Sequence, residues 1–170
     1  MSPGRVLIGG VGYRWQRDAS FGLAVSDALA GLAWPGHVQV ADLGYGALYV
    51  TQDLADARPP YQRLLLVAGA ARGRPPGRLY CARWRAALPG DDEIQERVRE
   101  AGAGVVDLDH LLIIASHFGA LPPDVVTLEL EPVEVDGGDG LSPRAAALVP
   151  EAVAHARAIA LAPDPAEARA

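Results

Sequence analysis

The sequence predicts an α/β fold, a three-layer sandwich in which a mostly parallel central sheet of about five strands is flanked by helices. Three observations predict it. Apolar runs without alternation, VLI at 6–8 and LLLV at 64–67, read as strands covered on both faces. Segments with helical apolar spacing separate such runs, in the order β-α-β-α-β-(β)-α-β-α. The first run also breaks into glycines, Gly9, Gly10 and Gly12, before the first helix. An α/β chain opens this way when ligands are held at the carboxyl ends of its strands.

The first strand covers Arg5 to Gly9, and the glycines after it permit positive φ and close backbone approach. The first helix is expected from about Asp18, with Asp18 or Ser20 as N-cap and Phe21, Val25, Leu29 and Leu32 on its apolar face. Trp34-Pro35-Gly36 stops it. HVQVADL, 37–43, alternates as a second strand with Asp42 at its end, and Gly44 and Gly46 make the next loop. A short helix over Leu48–Ala55 ends before Arg58-Pro59-Pro60. QRLLLV, 62–67, is the strongest buried-strand signal, and Arg78–Trp84 reads as an edge strand. EIQERVREAG forms a short exposed helix, and LDHLLIIASHF, 108–118, a longer apolar one closed by Pro122-Pro123. DVVTLEL, 124–130, is the last strand, and its alternating glutamates predict one face near solvent. Ser142-Pro143 starts the final helix, Ser as N-cap and Pro at the first helical position, with Ala146, Val149, Val153 and Ile159 among its apolar positions. Residues 1–162 read as one domain and 163–170 as a flexible tail.

The bulk properties exclude several classes. A chain of 170 residues, 50% hydrophobic, can bury a real core. No apolar run reaches the roughly 18 residues of a bilayer span, and MSPGRVLIGG enters a strand with no signal-peptide core. A cytoplasmic location without membrane insertion is expected. The net charge of −6 argues against nucleic acid as a partner. Cys81, alone in the chain, excludes an internal disulfide and a Cys-rich metal site and reads as a small strand residue. All 15 basic residues are arginine, which with the Ala, Gly and Pro load reads as a genome composition bias.

Three kinds of chemistry can be weighed from the residues. Gly10-Val11-Gly12 begins a dinucleotide fingerprint, but Trp15 stands at the third glycine and Asp42 lies too far on, so a tight turn is the better reading. Ser20, Ser26, Ser116 and Ser142 lack a nucleophile-elbow motif. Among His37, His110, His117 and His155, the densest ligand-type cluster is Asp107, Asp109, His110 and His117. His110 and His117 would lie two turns apart on one helix, about 10.5 Å along its axis, too far to share an ion, and each reads as a polar position on a half-exposed helix.

Five stretches in register give a resemblance. GVGYRWQRDASFG, 10–22, aligns without a gap to a Gly-x-Gly-Asn turn whose loop ends acid-Gly-x-Gly. VADLGYGALYV, YQRLLLVAGAARGRPPGRLY, LPPDVVTLELEP and GLSPRAAALVPEAVAHA follow in order. Over nearly its whole length the chain resembles the hydrogenase maturation endopeptidases. These trim the C-terminal extension from the large subunit of nickel–iron hydrogenases after nickel insertion. The resemblance implies three nickel ligands: an acid in the first loop, an aspartate ending the third strand and a histidine before the fourth main helix. Those positions are Ala19, Ala68 and Gly104, with Tyr13 at the early asparagine. None of the three offers a side-chain donor.

The retained features are Gly10, Gly12, Asp18, Gly22, Asp42, Gly44, Pro76 and Gly77. They shape a cleft to which Tyr13 and Trp15 add bulk, and Asp18 and Asp42 remain its candidate catalytic acids. The resemblance therefore implies a maturation-protease-like protein without metal or catalysis, a pseudoenzyme that binds a hydrogenase large subunit or maturation factor as chaperone or scaffold. An active metal-dependent endopeptidase would need a displaced nickel site, with Asp18, Asp42, Asp107, Asp109 and His110 converging at one strand end. A third reading is a small-ligand or nucleotide binder using the glycine turn, with Arg14 and Arg17 as anion contacts.

Overall fold

A computed structural model describes residues 3–163 of the chain. It is the predicted three-layer α/β sandwich. The strands are β1 (Arg5–Val11), β2 (Val38–Asp42), β3 (Tyr61–Gly69), β4 (Leu79–Arg83) and β5 (Asp124–Leu130). They lie in the order β2-β1-β3-β5-β4. All pair parallel except β4, which runs antiparallel to β5 at the sheet edge. The helices are α1 (Phe21–Ala30), α2 (Ala47–Asp56), α3 (Asp91–Gly102), α4 (Leu108–His117) and α5 (Pro143–Leu161).

The continuous apolar runs explain the layering. Leu64 and Leu66 of β3 point into the layer formed with α2, α3 and α4. Leu65 and Val67 point into the layer formed with α1 and α5. All four are fully buried, each worth about 1.5–3 kcal/mol against an exposed state. A strand with helices on both faces has no polar face, so alternation is absent.

Several local expectations need correction. Residues Arg17–Ser20 form a separate 3-10 turn, and α1 begins only at Phe21. Ser20 stands at the N-cap position, as one of the two expected residues, but makes no side-chain capping bond: its Oγ donates to Arg17 O at 2.6 Å, while Asp18 is turned away into the core. The helix ends at Ala30, so Leu32 lies beyond it and is 37% exposed. On α5 the buried stripe is Ala145, Leu148, Ala152, Ala156 and Ala160, while Ala146 faces out. Val149, Val153 and Ile159 flank that stripe, partly buried. Glu129, in β5, and the following Glu131 are buried rather than solvent-facing, because arginines cover them. His110 is likewise buried. Of the tail predicted at 163–170, residues 164–170 lie outside those described.

Two glycines hold the first loop against the sheet. A Cβ on Gly22 would lie 2.0 Å from Val67 O, so α1 can start this close to β3 only without a side chain. Gly12 has φ +143, and a Cβ there would lie 2.1 Å from Ala19 O. The loop thus folds back over the carboxyl ends of β1 and β3.

Candidate functional site

The loop carries Asp18 inward. Its side chain is fully buried and accepts four hydrogen bonds. Oδ2 accepts from Val133 N at 2.9 Å, Glu134 N at 3.1 Å and Ser142 Oγ at 2.8 Å; Oδ1 accepts from Ser142 N at 2.8 Å. Burial by itself raises the pKa of a carboxyl group; the N–H groups of Ser142, Glu134 and Val133 and the Ser142 hydroxyl outweigh it and hold Asp18 below the usual range. Ser142 is also the predicted N-cap of α5, its Oγ accepting from Ala145 N. Asp18 therefore ties the first loop to the β5–α5 connection, and its acceptor positions are occupied.

Asp42 ends β2 and stays near the surface. Its Oδ1 accepts from Gly44 N at 2.8 Å, and its Oδ2 accepts from Arg14 Nη2 at 2.7 Å. Arg14 also pairs with Asp27 at 2.9 Å, and these carboxylates raise the guanidinium pKa. Arg14 is thus engaged by two acids and not free for an anion. Arg17, at φ 45, packs against the Gly138 backbone. Trp15 points out, 69% exposed. Tyr13 turns in: its hydroxyl donates to Gly104 O at 3.0 Å and accepts from Val106 N at 2.6 Å, and its ring packs on the apolar layer that includes Ala68.

Beside Ala68 lies an ion-pair network that sequence reading missed. Ala68 and Glu129 are register partners on one sheet face. Arg72 Nε meets Glu129 Oε1 at 2.6 Å, and Arg72 Nη2 meets Asp109 Oδ1 at 2.8 Å. Arg74 Nε meets Glu131 Oε2 at 2.9 Å. Burial raises the Glu131 pKa, but the Arg72 amide and the Arg74 guanidinium overcome this and hold it low. One signal was available: five arginines and no acid in residues 70–90, against two glutamates at the end of an apolar strand and just after it.

Near α4, the N-cap Asp107 accepts from His110 N at 2.8 Å. The His110 ring nitrogens lie 2.7 Å from Asp107 Oδ1 and 2.6 Å from Glu100 Oε2. His117 is exposed at the far end of the helix. Of the five candidates only Asp107 and His110 meet each other, while Asp18, Asp42 and Asp109 are drawn to separate partners. Among the described residues no group of three or more His, Cys, Asp or Glu side chains is arranged to hold a metal ion. A cavity of about 540 Å³ lies between the β2–α2 loop and the α3–α4 connection, lined by Gly44, Tyr45, Tyr49, Gly104 and Val106 among others.

No protein-family model matches the chain, and no curated protein matches it by sequence. Solved structures do. The hydrogenase 2 maturation peptidase from Thaumarchaeota archaeon SCGC_AB-539-E09 is 29% identical, with 93% of this chain and 99% of that chain covered, at a TM-score of 0.65. The hydrogenase maturating endopeptidase HybD from E. coli is 19% identical, with 91% of each chain covered, at 0.68. The [NiFe] hydrogenase maturation protease HybD from Thermococcus kodakarensis is 20% identical, with 92% and 99% covered, at 0.60. This chain has the fold of the hydrogenase maturation endopeptidases.

Within that maturation-endopeptidase fold, the three positions implied for nickel come to one end of the sheet. A Cβ on Gly69, next to Ala68, would lie 3.2 Å from Ala19 Cα. Gly104 is reached from the same loop through Tyr13. Ala19, Ala68 and Gly104 carry no side-chain donor, so the residues present do not fit a nickel ion there. What stands around these positions is the Tyr13 hydroxyl and, beside Ala68, a guanidinium held by two carboxylates.

Proposed function

We propose that this protein is a non-catalytic relative of the hydrogenase maturation endopeptidases that binds a hydrogenase large subunit or a maturation factor as chaperone or scaffold. One observation carries the reading: all three implied ligand positions lack donors, and the groups around them bond to one another. Tyr13 closes the first loop onto Gly104 and Val106. Arg72 supplies a fixed positive charge next to Ala68, held by Glu129 and Asp109. Both retained acids are engaged, Asp18 by four donors and Asp42 by Arg14 and Gly44 N. A general acid or base must reach its substrate proton within hydrogen-bond distance, and Asp18 is buried against its own loops. The groove lined by Tyr45, Tyr49 and Gly104 leaves room for a peptide segment of the partner.

The test uses the purified chain, nickel and a hydrogenase large-subunit precursor. The precursor is expected to keep its C-terminal extension by intact mass, while the chain co-elutes with the large subunit or a maturation factor. Calorimetric titration with nickel is expected to show no stoichiometric site. Removal of the extension, or one nickel bound per chain, overturns the reading.

A further inference from the structure

We propose that the outer edge of β4 docks an acidic, extended segment of another protein, which adds to the sheet as a sixth strand. The backbone sets up the edge. Trp84 N donates to Val125 O at 2.9 Å, and Glu131 N donates to Arg78 O at 3.0 Å. In an antiparallel ladder the bonded residues alternate, so Arg78, Tyr80, Ala82 and Trp84 face β5. Leu79, Cys81 and Arg83 then direct their N–H and C=O groups away from it. Among the described residues no strand pairs that side.

Charge selects the occupant. The chain carries −6 overall, yet residues 70–90 hold five arginines and no acid. Arg72 and Arg74 are consumed by Asp109, Glu129 and Glu131. Arg78 and Arg85 are exposed and have no acidic partner among the described residues; Arg83, 51% exposed, only touches Asp124 at 3.5 Å. The free edge is therefore basic. On the α5 side a groove of about 380 Å³ runs along β4, bounded by Arg78, Leu79, Cys81, Arg144 and Leu148. The groove's acid, Glu151, lies one helical turn from His155, 3.6 Å away. An added strand would place alternate side chains on the face of Leu79 and Cys81, within reach of Arg83 and Arg144, and the others on the face of Arg78. This is strand addition with side-chain selection. Edge charges also guard sheets against self-pairing, and a row of arginines repels a second copy while attracting an acidic strand. Docking here is independent of the chemistry at Tyr13 and Ala68.

The test titrates the full chain with an acetylated decapeptide of alternating Val and Glu, and with its Val/Lys counterpart. Binding is followed by fluorescence anisotropy, and amide exchange by NMR. The Val/Glu peptide is expected to bind, more weakly as salt rises, and to slow exchange at Leu79, Cys81 and Arg83 while leaving Tyr80 and Ala82 unchanged. Arg78→Glu with Arg83→Glu is expected to weaken binding about tenfold. Cys81→Pro removes an outward N–H without touching the β5 ladder and is expected to abolish the protection, with circular dichroism verifying the fold of each variant. Equal binding of both peptides, indifference to charge reversal, or protection elsewhere than on β4 overturns the proposal.

Discussion

Asp18→Asn separates an anchoring carboxylate from a catalytic one. The amide keeps the shape and loses the charge and one acceptor. With its oxygen at the Oδ2 position it still accepts from Val133 N, Glu134 N and Ser142 Oγ, but its NH2 then faces the Ser142 N–H. A buried donor left unpaired costs about 1–3 kcal/mol, and each of the three remaining bonds loses about 1 kcal/mol of charge assistance. The expected loss is about 4–6 kcal/mol; at about 2 kcal/mol per molar urea the midpoint falls by about 2–3 M. Urea melts followed by circular dichroism and tryptophan emission measure it. The pH dependence gives a second readout. The folded-state Asp18 carboxyl is held below its usual value, so its contribution is complete above the unfolded pKa of about 4 and is lost as pH falls through the folded one. Asparagine does not titrate, so the gap between the two proteins should narrow toward acid. A midpoint shift under about 0.5 M, with a pH-independent gap, refutes the anchoring role.

Other substitutions test the remaining contacts. Tyr13→Phe removes the hydroxyl between Gly104 O and Val106 N and should cost about 1–3 kcal/mol, with faster amide exchange at Val106; unchanged exchange there would sever the proposed closure. Arg72→Ala strands the buried Glu129 carboxylate, leaving it one 3.4 Å contact with Arg74. The melting temperature should fall by about 5–10 °C. Glu129→Gln in that background should recover part of the loss, and no recovery would mean that charge is not the cause. Asp42→Ala removes a pair whose two side chains are 46% and 41% exposed. Stability should change by less than about 1 kcal/mol, so a larger thermal shift would show Asp42 doing more than meeting Arg14 and Gly44.

These contacts also mark where sequence reading stops. The covered strands VLI and LLLV were legible because both faces must be apolar, whatever lies on them. The Ser142-Pro143 helix start was legible because a cap is a contact within three residues. Asp18 looked like a cap for the same reason, but its donors come from residues 115 to 124 positions away. Nothing local distinguishes a carboxylate bound for a helix end from one bound for a distant loop. Glu129 and Glu131 failed in a parallel way. Polar alternation along a strand records that a face is not apolar; it does not say whether water or an arginine meets it. Here arginines from the β3–β4 loop, 57 residues earlier, meet the two acids.

The departures from the family pattern fit one another. Random decay of a metal site would leave holes, unpaired carboxylates or an unsatisfied histidine partner, since isolated buried charge is expensive. None of the described residues shows a buried side-chain polar atom without a hydrogen-bond partner. Gly104 has φ +103, a conformation that a histidine adopts only under strain, and its carbonyl accepts the Tyr13 hydroxyl. Tyrosine at 13 and glycine at 104 are thus compatible with each other and jointly unsuited to a ligand set. Arg72 is compatible with Glu129 and Asp109 in the same sense, because the two acids need a cation and the guanidinium is one. On the proposed reading, side-chain donors placed at 19, 68 and 104 alone would meet a loop that Tyr13 already closes onto Gly104 and Val106. A metal centre attempted at those positions therefore has to change Tyr13 as well.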